Sequence, residues 1–160
     1  MVVISDTSPL VCLVHLNKLD LLDKLFKNVL IPDSLYNELF FSKIIDKDFL
    51  QKNSFIKIKN PKDTSLVKNL MQQLDIGEAE AIVLSIEEKP DFLIIDEAFG
   101  REIALSYNLS IKGTLGIFLL AKERNFVSEI KPLINILQQE INFRINPSLL
   151  QLVLQQANEL

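Results

Sequence analysis

The feature that most constrains this chain is a series of short apolar runs separated by longer stretches with helical spacing. Val2 to Ile4, Val29 to Ile31, Phe55 to Ile58, Phe92 to Ile95 and Leu109 to Ile111 recur in order along the chain. A strand with one face in water alternates apolar with polar residues, whereas a strand covered on both faces reads as a near-continuous apolar run. Alternation of such runs with helical segments predicts an α/β fold in which helices cover both faces of a parallel sheet of about five strands.

Local signals mark where the helices begin and end. Pro32 follows Ile31 with Asp33 beside it, opening a helix expected to carry Leu35, Leu39 and Phe40 inward. Thr64 or Ser65 is expected to cap the next helix, and Asp75 or Gly77 the one running to about Glu88. Lys89-Pro90-Asp91 stops that helix, because proline disfavours helical geometry in the residue before it. Near the C-terminus Ile130, Leu133, Ile134, Leu137 and Ile141 keep one face apolar, and Asn146-Pro147 opens a last helix carrying Leu150, Val153 and Leu154. Lys43 to Lys62 reads as a less regular, lysine-rich connection.

With 160 residues and 48% hydrophobic content the chain suits one domain over residues 1–160. No apolar stretch approaches the roughly 20 residues that cross a bilayer. The N-terminus lacks the basic region and cleavage site of a signal peptide, so a cytoplasmic location without membrane contact is expected. A lone Cys12 and a lone His15 cannot build a zinc site, which needs about four such ligands, so a metal here would be held by oxygen. The net charge of −4 argues against broad electrostatic adhesion to nucleic acid and leaves focused contact open.

In an open parallel sheet, ligands bind beyond the C-terminal ends of the strands. Asp6 follows the first run and Asp96 the fourth, so adjacent parallel strands would point both carboxylates into one crevice. Glu38, about two turns into its helix, and Glu78, at the start of another, are within reach of the same place, with Glu80 a competitor for the position of Glu78. Carboxylates brought together repel one another in a partly desolvated site, and a hard divalent cation, Mg2+ or Mn2+, is the usual remedy. Such a cluster suits phosphodiester hydrolysis. Each acid also has a plainer role: Asp6 or Asp96 as a turn cap, Glu78 and Glu80 as partners of the helix dipole, Glu38 as a solvated side chain.

The stretch Val3-Ile4-Ser5-Asp6-Thr7-Ser8-Pro9-Leu10 resembles the opening of PIN domains, especially the DUF3368 group. The resemblance continues through Ile31 to Leu39, Asp75-Ile76-Gly77-Glu78-Ala79-Glu80-Ala81-Ile82, Leu93 to Glu97, and Ile111-Lys112-Gly113-Thr114-Leu115-Gly116. It implies a three-layer α/β/α fold and a metal-dependent ribonuclease using Mg2+ or Mn2+, of the kind found as toxins in toxin-antitoxin pairs. By the same resemblance Asp6, Glu38, Glu78 and Asp96 form the catalytic and metal-binding cluster, with Glu where many relatives have Asp in the third segment. Thr114 resembles a polar position near the site, its plainer role being an N-cap, and Arg101 and Lys112 lie close enough in sequence to assist substrate binding. The implied partners are RNA, a small antitoxin protein and a second copy of the chain in a homodimer, the last also suggested by Leu10, Leu13, Leu16, Leu19, Leu22 and the apolar last helix.

Other α/β families with an Asp after the first strand fit less well. Haloacid-dehalogenase-like phosphatases need a second Asp where Ser8 stands; an adhesion-type metal site needs Ser where Leu10 stands; a response receiver needs Asp where Lys59-Asn60 stands. No Gly-rich turn suits a dinucleotide, and a Ser-His-Asp hydrolase would have to centre on His15 among Leu13, Val14 and Leu16. The rival from another class is a non-catalytic PIN-like module that binds RNA or protein. Four carboxylates oppose it, since a pure RNA-binding surface gains nothing by repelling phosphate. Lys43, Lys47, Lys52, Lys57, Lys59 and Lys62 are candidates to flank a substrate path, or else a solvated face.

Overall fold

The apolar runs become strands because each is covered from both sides. In a computed structural model describing residues 1–160, β1 (Val2–Ser5), β2 (Asn28–Ile31), β3 (Ile56–Ile58), β4 (Phe92–Ile94) and β5 (Ile111–Lys112) form one parallel sheet in the order β3-β2-β1-β4-β5. Side chains alternate across it: Val3, Val29, Ile31 and Ile94 enter one core, Ile4, Leu93 and Ile95 the other. The first core is closed by α1 (Thr7–His15), α2 (Asp20–Leu25), α3 (Asp33–Phe41), α8 (Thr114–Glu123), α9 (Lys131–Glu140) and α10 (Pro147–Gln156). The second lies under α5 (Thr64–Leu70), α6 (Ile76–Glu88) and α7 (Ala98–Ser106), while the short α4 (Phe49–Lys52) lies within the lysine-rich connection. These are the three expected layers.

The chain has four glycines, and none has a positive φ. Asn17, Asn108, Asn125, Asn142 and Asn158 take the left-handed conformation after α1, α7, α8, α9 and α10, as Lys27, Lys43 and Lys89 do after α2, α3 and α6. Asparagine tolerates that conformation better than other residues with a Cβ. It is also why the fifth strand starts later than its apolar run. Asn108 (φ 61°) turns the chain so that the Leu109 N–H bonds back to the Ala104 carbonyl at 3.2 Å, making Leu109 the close of α7 and leaving Ile111–Lys112 as strand.

Three other expectations are corrected by local geometry. Leu35 and Leu39 are buried, but Phe40, a further 100° around the helix, is turned out and stacks on Tyr36 at 6.3 Å. The helix expected to start from Thr64 or Ser65 is capped one residue earlier by Asp63, whose Oδ1 accepts the Leu66 N–H at 3.0 Å. Leu10, Leu13, Leu19 and Leu22 are buried inside the first core, so they offer no surface to a second copy.

The C-terminal helices are joined by one carboxylate. Glu159 accepts the backbone N–H groups of Ile130 and Lys131, both at 2.9 Å, and the Lys122 ammonium at 2.9 Å. Burial pushes the Glu159 carboxyl up, but these donors outweigh it and hold its pKa below the usual value. Removing the charge leaves donors at the start of α9 poorly satisfied, so Glu159→Gln is expected to cost about 1–3 kcal/mol in urea denaturation. Unchanged stability would show the contact to be incidental.

Candidate functional site

The strand order reverses between β1 and β4: the chain moves outward through β2 and β3, then returns to the other side of β1. At such a switch point the connections leave in opposite directions and open a crevice beyond the strand ends. The register pairs Ser5 with Ile94, and the Asp6 N–H donates to the Ile94 carbonyl at 2.8 Å. Asp6 and Asp96 therefore leave neighbouring strands at one edge of the sheet.

Asp6 is only 4% exposed and stands at the N-cap position of α1 without making a side-chain capping bond. Burial pushes its carboxyl up to about 7 from 3.8; the Thr7 N–H pulls the other way, and the charges of Asp75, Glu38 and Asp96 push further up. Asp96 is gripped by Thr114, whose backbone N–H donates to Oδ1 at 2.7 Å and whose hydroxyl donates to Oδ2 at 2.6 Å. Its pKa is raised by burial against those bonds and the positive charge of Arg101. Thr114 is thus the buried first residue of α8 and not its cap, a position held by Gly113.

Glu78 carries the sharpest conflict. Burial, a side-chain hydrogen bond with Asp75 and the charges of Asp75, Asp6 and Glu97 push it up to about 8. Its Oε2 is buried with no hydrogen-bond partner. A Cβ at Gly100 would stand 2.8 Å from that oxygen, so the absent side chain makes its space. Glu80, two residues on and about 200° around α6, is not among the groups acting on Asp6 or Glu78. Glu38 is exposed and accepts the Thr7 hydroxyl at 3.1 Å. Arg101 donates from Nη1 to the Ile95 carbonyl at 2.7 Å, and Lys112 sets its ammonium 4.7 Å from the Phe92 ring centroid.

Three participants escape sequence reasoning. Asp75 reads as a cap, which it is, with Oδ1 accepting the Glu78 N–H at 2.8 Å, but it also meets the Glu78 side chain. Glu97 caps α7 through the Gly100 N–H at 2.9 Å, and its charge reaches Glu78. Thr7 orients Glu38. The only signal for the first two is their place beside Glu78 and Asp96 at helix starts.

Three lysines of the lysine-rich connection are held at the sheet edge or by acids outside the crevice. Lys57 lies on β3, at the sheet edge two strands from β1 and thus roughly 10 Å away. Lys59 is paired with Glu88 and Lys52 with Asp46. His15 is exposed and meets Glu140 at 3.0 Å, while burial pushes the Cys12 thiol up to about 12, leaving it a packing residue. No helix is long and apolar enough to cross a membrane.

An all-oxygen set with a buried, unpartnered Glu78 oxygen fits a hard divalent cation. No three acids are arranged to ligate one ion directly as they stand. A hard divalent cation that keeps several of its waters takes only one or two carboxylates directly.

The electrostatics fix the pH response. The unfolded chain releases the Asp6 proton near 3.8, whereas the folded protein holds it to about 7. The folded state therefore binds more protons in that window, and stability in EDTA is expected to fall as pH rises through it, Asp6 alone contributing on the order of 2–4 kcal/mol. Asp6→Asn should flatten that slope and leave the metal-free protein at least as stable as wild type at pH 8. Equal wild-type stability at pH 5 and pH 8 in urea denaturation would contradict the conflict described at Asp6.

A family-level sequence match covers residues 2–159 and identifies DUF3368, described as a PIN domain. No curated protein and no solved structure matches the chain. The match spans nearly the whole sequence and agrees with the five-stranded parallel sheet between helical layers, so this chain belongs to the DUF3368 family of PIN domains.

Proposed function

We propose that the protein is a metal-dependent endoribonuclease that hydrolyses RNA phosphodiesters, the toxin of a type II toxin-antitoxin pair. Membership of a family with a nuclease-like fold supports the general class. The observation that carries the reading is the conflict at the crevice, where Asp6 and Glu78 keep raised pKa values and one Glu78 oxygen lacks any partner. A protein gains no stability from such a cluster, which calls for a cation. Mg2+ or Mn2+ is the proposed cofactor, held by Asp6, Glu38, Glu78 and Asp96. The proposed setting is cytoplasmic, with a small antitoxin and a second copy of the chain as protein partners.

Held by these carboxylates, a divalent cation would supply Lewis acidity, lowering the pKa of a water and offsetting charge on the leaving oxygen. The chain's own groups prepare the place. Thr114 fixes both oxygens of Asp96, so that this carboxylate is oriented before any ligand arrives. Thr7 does the same for one oxygen of Glu38. The hydrogen bond between Glu78 and Asp75 favours the protonated form of Glu78, which lowers the repulsion among the acids. Arg101, anchored on the Ile95 carbonyl, puts a positive charge beside Asp96 where substrate phosphate approaches.

The second reading is a PIN-like module that binds RNA or a protein without cutting. It is favoured by the lack of three acids arranged to ligate one ion directly.

Cleavage of RNA is expected to need Mg2+ or Mn2+, to stop with EDTA, and to fall by roughly a hundredfold or more in Asp6→Asn or Asp96→Asn while the fold persists. An amide keeps the size of the carboxylate and deletes the charge. Wild type with Mn2+ and single-stranded RNA, against both variants, is the decisive comparison. An Asp6→Asn protein that folds and cuts like wild type would refute the proposed site.

A further inference from the structure

Beside Asp96 opens a cleft of about 400 Å³, walled on one side by β5 and the start of α8 and on the other by the chain from Phe143 to Gln156. Its apolar wall includes Leu149 and Leu152 of α10, which remain 47% and 50% exposed. Its polar lining includes Arg101, Lys112 and Arg144. The chain contains three arginines, so two of them line this one cleft. None of the three cations forms an ion pair, although the protein carries a net charge of −4.

Arg101 has the Asp96 charge beside it and Lys112 the Phe92 ring, but Arg144 has no acidic partner, and half-exposed leucines are poorly used in water. One ligand chemistry answers both: a flat apolar body joined to an anion. The wall is also preformed. Asn146 caps α10 through the Ser148 N–H at 2.8 Å, and at the other end Lys122 donates to the Ala157 carbonyl, with Glu159 fastening that turn to α9. Gly116 lets the Lys112 stem lie across α8, since a Cβ there would meet Lys112 Cγ at 2.6 Å. A cleft of this size lies within the range of pockets for small ligands.

We propose that this cleft is a nucleotide subsite, taking a nucleobase against Leu149 and Leu152 and its phosphate on Arg101 and Arg144. Because Asp96 lines one end, the subsite also positions the nucleotide next to the bond cut at the acidic cluster. That second half rests on the nuclease reading; nucleotide binding itself does not. A neutral apolar peptide or a second copy would use the apolar wall and leave Arg144 without an anion.

The test is NMR titration of the protein in EDTA with 5′-AMP, adenosine and inorganic phosphate, on wild type, Arg144→Ala and Leu152→Asn, both substitutions being at exposed positions. 5′-AMP is expected to bind at least about fivefold tighter than either fragment, since base and phosphate are held together. Arg144→Ala should weaken 5′-AMP and phosphate by about fivefold and leave adenosine alone, and Leu152→Asn should weaken 5′-AMP and adenosine. In RNA cleavage, Arg144→Ala should raise KM more than it lowers kcat. The subsite is overturned if 5′-AMP binds no tighter than phosphate, if neither variant alters binding, or if Leu152→Asn changes only the oligomeric state in light scattering, which would assign the face to a second copy. Should 5′-AMP bind as described while wild type with Mn2+ cuts no RNA, the subsite stands and the nuclease reading falls.

Discussion

Everything proposed for this molecule depends on β1 and β4 lying side by side. The hydrogen bond from the Asp6 N–H to the Ile94 carbonyl extends the ladder one residue past β1 and fixes where both chains leave the sheet. Two carboxylates ninety positions apart in sequence thereby share a desolvated edge. α6, running from Asp75 back across the second core, brings Glu78 to the same edge, and α3 brings Glu38 to Thr7. Had the strands been ordered as they occur along the chain, Asp6 and Asp96 would stand three strands apart, roughly 14 Å, and their charges would scarcely interact.

The site is bought at the expense of stability. Burial is the first cause of every raised carboxyl in it, and mutual repulsion among acids adds to that. Small residues are used where the acids need space. Side chains at Gly100 and Gly113 would press on Glu78 Oε2 and Asp96 Oδ1 at 2.8 and 2.9 Å. Helix termination, where glycine is commonest, is left to asparagine and lysine. In this chain glycine serves close approach, and asparagine serves backbone conformation.

The cleft beside Asp96 extends the same economy. Arg101 lies between the two regions: its guanidinium is tied to the Ile95 carbonyl, lowers the pKa of Asp96, and faces the cleft. Opposite charges are thus set close together at one strand end, the acids in the crevice and Arg101 between it and the cleft. A chain that is acidic overall can in this way offer a local attraction to an anion without a basic surface.

The sequence by itself determined the layered parallel fold, because apolar runs without alternation demand cover on both faces, and the helix starts at Asp33, Asp75 and Asn146, because proline and short polar side chains act on their own neighbours. Asp6 and Asp96 were legible as candidates from their place after strands, and Glu78 from its segment. Tertiary structure alone brought Glu78 among the charges of Asp6, Asp75 and Glu97, because the rotation of α6 against the sheet sets which distant groups its side chains meet. It alone brought in Asp75, Glu97 and the Thr7 and Thr114 hydroxyls, whose local roles at helix starts conceal contacts with distant partners. It also turned Phe40 outward and buried the leucines of α1 and α2, since six helices share that face of the sheet. Spacing along the chain reports what a residue does to its neighbours; packing decides which distant charges it must endure.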